Sequence, residues 1–113
     1  MKQLSQAMLL RIFINESDRA NRKPLYEEIV ETAHKKGLAG ATVLRGVLGY
    51  GAGSRIHTSK ILRLSEDLPL VVEIVDNEMN IELFLSELDE LIGDGMVTLE
   101  KVQTVTYRLP TTD

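Results

Sequence analysis

The chain has no cysteine and no tryptophan among its 113 residues, and only three prolines, two phenylalanines and three tyrosines. Without thiols there can be no disulfide, thiol nucleophile or cysteine zinc site, and the composition suits a reducing cytoplasm. No apolar run approaches the roughly 18 residues of a membrane-spanning helix. The N-terminus also lacks the basic, apolar and small-residue succession of a signal peptide, so the chain is expected to stay in the cytoplasm. Basic residues are the minority charge: 13 Lys and Arg against 17 Asp and Glu give a formal charge of −4. With no indole to stack on bases, that balance argues against a nucleic-acid partner, because phosphate neutralisation supplies most of such affinity.

The residues that are present, 43% hydrophobic and 27% charged, have the balance of a folded globular protein. The length suits one domain over residues 1–113 and is too short for two. Residues 4–15 read as a strand, since Met8, Leu10, Ile12 and Ile14 alternate with Leu9, Arg11 and Phe13. A helix is expected over 24–36, with Pro24 at its start, Leu25, Ile29 and Ala33 on one stripe, and Gly37 as its C-terminal cap. Residues 41–48 form a second strand and 70–75 a third. Asp76 or Asn77 caps a second helix that Gly93 ends; Ile81, Phe84, Leu85, Leu88, Leu91 and Ile92 give it helical spacing. A last strand covers 96–107, and 108–113 is a frayed tail.

The order β-α-β-β-α-β predicts an α+β, ferredoxin-like fold: a four-stranded antiparallel sheet with both helices on one face. If Met8, Leu10, Ile12, Ile14, Leu70, Val72 and Ile74 face the helices, Leu9, Arg11, Phe13, Val71, Glu73 and Val75 fall on the uncovered face. A patch of that size is expected to be buried in a closed oligomer. Arg11 and Arg45 stand on strands that can flank Glu73, read either as a charge cluster fixing an interface or as exposed cross-strand pairs.

Charge is unevenly spread. Residues 49–65 contain Arg55, Lys60 and Arg63 and no carboxylate, a formal +3 that leaves −7 for the rest. A connection this long, here 49–68, is unusual in a compact domain. Gly49, Gly51 and Gly53 free its backbone, and Ser54, Thr58 and Ser59 add hydroxyls to the basic side chains. Such parts build anion and phosphate sites; an ordinary solvated basic loop has the same composition. Gly93-Asp94-Gly95 is a second glycine turn, one that a helix cap followed by a turn also explains. Neither the phosphate-loop pattern nor a Rossmann fingerprint occurs, which excludes conventional nucleotide hydrolysis by those motifs. His34 reads as a surface residue, while His57 stands beside Thr58 in the glycine-rich connection without metal-ligand partners at the required spacing. No metal site and no catalytic nucleophile, base and acid set can be assembled, so a binding protein rather than an enzyme is expected.

Several segments together carry a family resemblance. Glu16-Ser17-Asp18-Arg19, Pro24-Leu25-Tyr26-Glu27, residues 37–46, Ser54-Arg55-Ile56-His57-Thr58, residues 64–69 and Val72-Glu73-Ile74-Val75-Asp76 resemble the bacterial and archaeal family called domain of unknown function 190, over residues 4–107. That family is similar in turn to the PII signal-transduction proteins, cytoplasmic trimers that bind adenine nucleotides between subunits and regulate partners through a long loop after strand two. Gly49-Tyr50-Gly51 resembles the Gly-Phe-Gly at the base of that loop, and Ile92-Gly93-Asp94-Gly95 the turn that wraps nucleotide phosphates.

The resemblance implies a homotrimer with AMP, ADP, ATP or a similar small anionic ligand in its clefts, and no required cofactor. It assigns ligand contacts to the two glycine turns, Gly49, Gly51, Gly93, Asp94 and Gly95, and the composition of the connection adds Arg55, His57, Thr58 and Lys60 as candidates. It also implies a regulated partner, an enzyme or a membrane transporter; the alternative is an oligomeric interaction module that binds no ligand. Four departures limit the likeness. Met96 stands where PII proteins place a phosphate-binding Lys, Ala52-Gly53-Ser54 stand after Gly51 where their Gln is expected, no Tyr lies between Gly51 and Pro69, and Arg108 is the single C-terminal candidate for their phosphate-clamping arginines. Sensing of 2-oxoglutarate and a preference for triphosphates therefore do not transfer.

Overall fold

A computed structural model describes residues 1–50, 57–58 and 67–110. Strand β1, Lys2–Asn15, leads into a small hairpin of β2, Arg19–Ala20, and β3, Lys23–Pro24. Helix α1, Leu25–Lys35, is followed by strand β4, Ala41–Arg45, and the short strands β5, Leu48–Gly49, and β6, His57–Thr58. Strand β7, Pro69–Asp76, helix α2, Glu78–Leu91, and strand β8, Met96–Tyr107, complete the order. Four strands form the antiparallel sheet in the order β4-β7-β1-β8, as the ferredoxin-like reading requires.

Two-residue alternation decides which face is covered. Leu10, Ile12, Leu70, Val72 and Ile74 are buried with Met8 and Ile14 beneath the helices, where they meet Leu25, Ile29 and Ala33 of α1 and Ile81, Phe84 and Leu88 of α2. Their cross-strand partners alternate in register, Ile12 opposite Val72 and Leu10 opposite Ile74. No polar residue is buried among those described. On the other face Leu9, Arg11, Phe13, Val71, Glu73 and Val75 are half-buried, with no helix above them.

The helix ends follow local chemistry. Gly37 at φ 78° closes α1, its N–H donating to the His34 carbonyl while Leu38 donates to Ala33, the paired bonds of a Schellman motif. Asn77 caps α2 by accepting the Asn80 N–H at 2.8 Å. Four expectations need correction. Pro24 lies outside α1, with ψ 137°, because it pairs with Arg19 in the hairpin. Helix α2 ends at Leu91 on an extended Ile92, and among the described glycines only Gly37 has positive φ, so Gly93 is not a left-handed cap. The strand expected over 41–48 stops at Arg45, where the Gly46 N–H turns to the Pro69 carbonyl at 2.7 Å. Finally, Arg45 pairs with Glu16, not Glu73. Arg45 opposes Leu70 and Glu73 opposes Thr42, which puts the two side chains on opposite faces.

Candidate ligand-binding site

The base of the long connection is built by backbone pairing. Leu48 opposes Thr58 and Gly49 opposes His57, so three residues expected to contact ligand, Gly49, His57 and Thr58, are backbone neighbours. The ladder sits close to β7: a Cβ on Gly49 would stand 3.2 Å from Pro69 Cγ, and one on Gly46 would stand 2.9 Å from it. The two glycines let the chain cross the start of β7 at short range. Gly51, Arg55 and Lys60 lie outside the described residues.

The second glycine turn reaches the same end of the sheet. Gly95 packs so closely on β1 that an added Cβ would be 3.2 Å from the Phe13 carbonyl oxygen and 3.3 Å from Ile92 Cγ2. Around Gly93 the same test finds open space. All three residues of the turn are exposed, but Gly95 is fixed by its close packing on β1 and Gly93 is not.

Between the two turns lies an open cavity of about 330 Å³. Tyr50 from the connection, Asp94 and Gly95 from the second turn, Phe13 and Asn15 from β1, Asp18 beyond it, and Pro69, Leu70 and Val71 from β7 line it. Tyr50 is largely exposed, which leaves its ring free to cover a planar ligand. Asp18 is partly engaged, its Oδ2 accepting the Asn15 N–H at 2.9 Å. Nearby, the Glu16 N–H donates to Leu68 and the Ser17 N–H to Asp67, binding the end of β1 to the entry of β7.

The cavity has an apolar and aromatic wall, two carboxylates and, among its described lining residues, no cation. An anionic ligand there requires positive charge from elsewhere, since a buried or semi-buried phosphate beside Asp18 and Asp94 is otherwise repelled. Met96, adjacent to Gly95, is exposed and brings no charge. Sequence reasoning missed Phe13, Asn15 and Asp18 as lining residues, because their proximity to Tyr50 arises only from strand pairing. Tyr50 carried a legible signal, a lone aromatic between two glycines. Among the described residues no group of three His, Asp or Glu side chains is placed to hold a metal, and no helix is long and apolar enough to cross a membrane.

The family model called domain of unknown function 190, described as "Uncharacterized ACR", matches residues 7–104. The chain belongs to this family. A UPF0166 protein of Aquifex aeolicus is 42% identical over 97 residues, covering 86% of this chain and 91% of that protein. Another, from Methanocaldococcus jannaschii, is 35% identical over 95 residues, covering 83% and 87%. Among solved structures, CPII of Thiomonas intermedia, a nitrogen regulatory PII-like protein bound to ADP, AMP and bicarbonate, superposes with a TM-score of 0.68 at 16% identity. That match covers 90% of this chain and 91% of the other. The GlnK-ATP complex of B. subtilis gives a TM-score of 0.55 at 13% identity, over 86% and 82% of the two chains. At such identities the likeness speaks for the fold, which in this family is thus PII-like and ferredoxin-like.

Proposed function

We propose that the protein is a PII-like cytoplasmic signalling protein that binds an adenine nucleotide, or a similar anionic metabolite, at clefts completed by neighbouring copies in a homotrimer. The observation that carries this reading is the meeting of two glycine turns: Tyr50 and Asp94-Gly95, far apart in sequence, line one cavity at the base of the 49–68 connection. Phe13, Tyr50, Pro69 and Val71 offer a wall for a base, and Gly93-Asp94-Gly95 offers exposed backbone for phosphate. Arg55, His57 and Lys60 are basic residues of the same connection and would supply the phosphate contacts and charge that the described lining lacks. CPII binds ADP and AMP and the B. subtilis GlnK binds ATP, which supports this ligand class. Binding would order the connection and alter its fit to an enzyme or transporter partner.

The role is that of a binding regulator, with no turnover of the ligand. Isothermal calorimetry with AMP, ADP and ATP, with and without magnesium, tests it: saturable heat with one of them is expected, and no heat with any of them removes the nucleotide. Asp18 and Asp94 in the lining favour a second reading, an oligomeric interaction module that needs no ligand. Under that reading, deleting residues 54–64 abolishes partner binding while the nucleotide titrations stay flat.

A further inference from the structure

Strands β1 and β8 run past the rest of the fold. Their pairing continues from Ala7 opposite Val102 to Lys2 opposite Tyr107, whereas β7 ends with Asp76 opposite Met8. The outer ribbon is held to its tip by the Met1 ammonium donating to the Arg108 carbonyl and by the Arg108 N–H donating to Met1. A two-stranded ribbon is marginal in water unless something packs on it. On the face that continues the covered side of the sheet, Leu4 sits opposite Val105 and Tyr107 stands beside them, and all three are exposed. This ribbon is also basic: residues 1–8 and 101–108 include Lys2, Lys101 and Arg108 and no carboxylate.

Helix α2 is its complement. It carries Glu78, Glu82, Glu87, Asp89 and Glu90 and no Lys or Arg. Lys36, which caps the C-terminus of α1, pairs with Glu87 at 2.9 Å, and among the described residues no other Lys or Arg is bridged to the helix. Met79 and Leu83, one turn apart, are exposed on its outer side at 70% and 65%. Leu83 borders a groove of about 330 Å³ between α2 and the end of α1, walled by Leu38 and Phe84.

We propose that the α1/α2 groove of one copy receives the β1/β8 ribbon of a second copy, with Leu4, Val105 and Tyr107 against Met79 and Leu83. The ribbon cations then face the α2 carboxylates. Such a contact joins different surfaces on the two partners, so a closed ring needs every copy to give its ribbon and receive another. This deepens the proposed self-association and rests on it, adding a second contact between copies to the one expected at the uncovered sheet face. It also explains how an acidic helix and an exposed ribbon coexist on one chain: each covers the other.

The absence of cysteine makes a cross-linking test clean. Val105→Cys and Leu83→Cys chains of different tag length are mixed at micromolar concentration and oxidised mildly. The expected product is a disulfide between the two different chains, suppressed by Tyr107→Asp in the ribbon partner. Thr104→Cys, on the opposite face of β8, should not join Leu83→Cys. Tyr107→Asp should also weaken association about tenfold or more, as an interface anchor does. If the protein sediments as an oligomer but Val105→Cys joins only itself or nothing, the ribbon contact is wrong and self-association stands. If it sediments as a monomer, both are wrong.

Discussion

Arg11 Nε donates to Glu73 Oε2 at 2.9 Å across the sheet face that no helix covers. Its second group reaches Glu100 Oε1 at 3.4 Å, so one guanidinium serves carboxylates from the strands on either side. The hydrogen bond to Glu73 raises the Arg11 pKa, and the charge is present at all working pH values. Leu9, Phe13, Val71 and Val75 surround this polar centre with half-buried apolar surface. The arrangement has the composition of an interface between copies: apolar area for affinity and a charged group that rejects misaligned registers.

Putting a charge into that apolar ring should separate the copies. Phe13→Glu is expected to shift the protein from oligomer to monomer in sedimentation velocity, with its circular dichroism retained, because the residue is on the open face and not in the core. An unchanged sedimentation coefficient would mean that the face is wet in the native protein.

Asp76 joins three pieces of chain at the opposite end of the sheet. Its Oδ2 accepts the Ala39 N–H at 2.9 Å, and its Oδ1 accepts the Asn77 N–H at 2.7 Å and the Asn80 side-chain amide at 2.9 Å. Partial burial pushes this carboxyl up, but the donors from Asn80, Ala39 and Asn77 outweigh it and hold the pKa below the ordinary value. A depressed folded-state pKa contributes stability above the unfolded value, near pH 4, and loses it as pH falls through the folded one. Asp76→Ala should therefore cost about 1–2 kcal/mol at neutral pH, a figure allowing for partial exposure. The difference from wild type should shrink in urea titrations carried below about pH 4. A constant difference down to pH 2 would remove the role of the ionised form.

Gly46 and Gly93 should respond differently to the same small change. Gly46→Ala forces a Cβ to within 2.9 Å of Pro69 Cγ and should destabilise by about 1–3 kcal/mol, seen as a lower thermal midpoint. Gly93→Ala meets nothing within 4 Å and should leave the midpoint within about 0.5 kcal/mol of wild type. Equal losses at both positions would contradict the packing described around Pro69.

The contrast between these glycines marks what sequence can and cannot reveal. Alternation along 8–14 and 70–74 identified the covered face residue by residue, because a two-residue period has only two solutions and one of them buries Leu10, Ile12, Val72 and Ile74. The same alternation already places Arg45 on the face opposite Glu73; that its partner is Glu16 follows from the strand pairing and was not readable. The β2–β3 hairpin was not legible, since two-residue strands have no period and its turn depends on Asn21 adopting φ 60°. Both glycine turns stood out as letters. That Phe13 and Asp18 close the space between them was not readable, because it follows from the pairing of β1 with β7 and β8 and from no local pattern.

Tyr50 and the Gly93-Asp94-Gly95 turn are proposed to hold one nucleotide between them. Calorimetric titration of AMP, ADP and ATP into wild type, Tyr50→Ala and Asp94→Ala, at low salt with and without magnesium, tests this most directly. Saturable binding to wild type is expected, with a loss of about tenfold or more in Tyr50→Ala, as for removing an aromatic that stacks on a base. Absence of heat in wild type with all three nucleotides, or equal affinity in wild type and both variants, would contradict it.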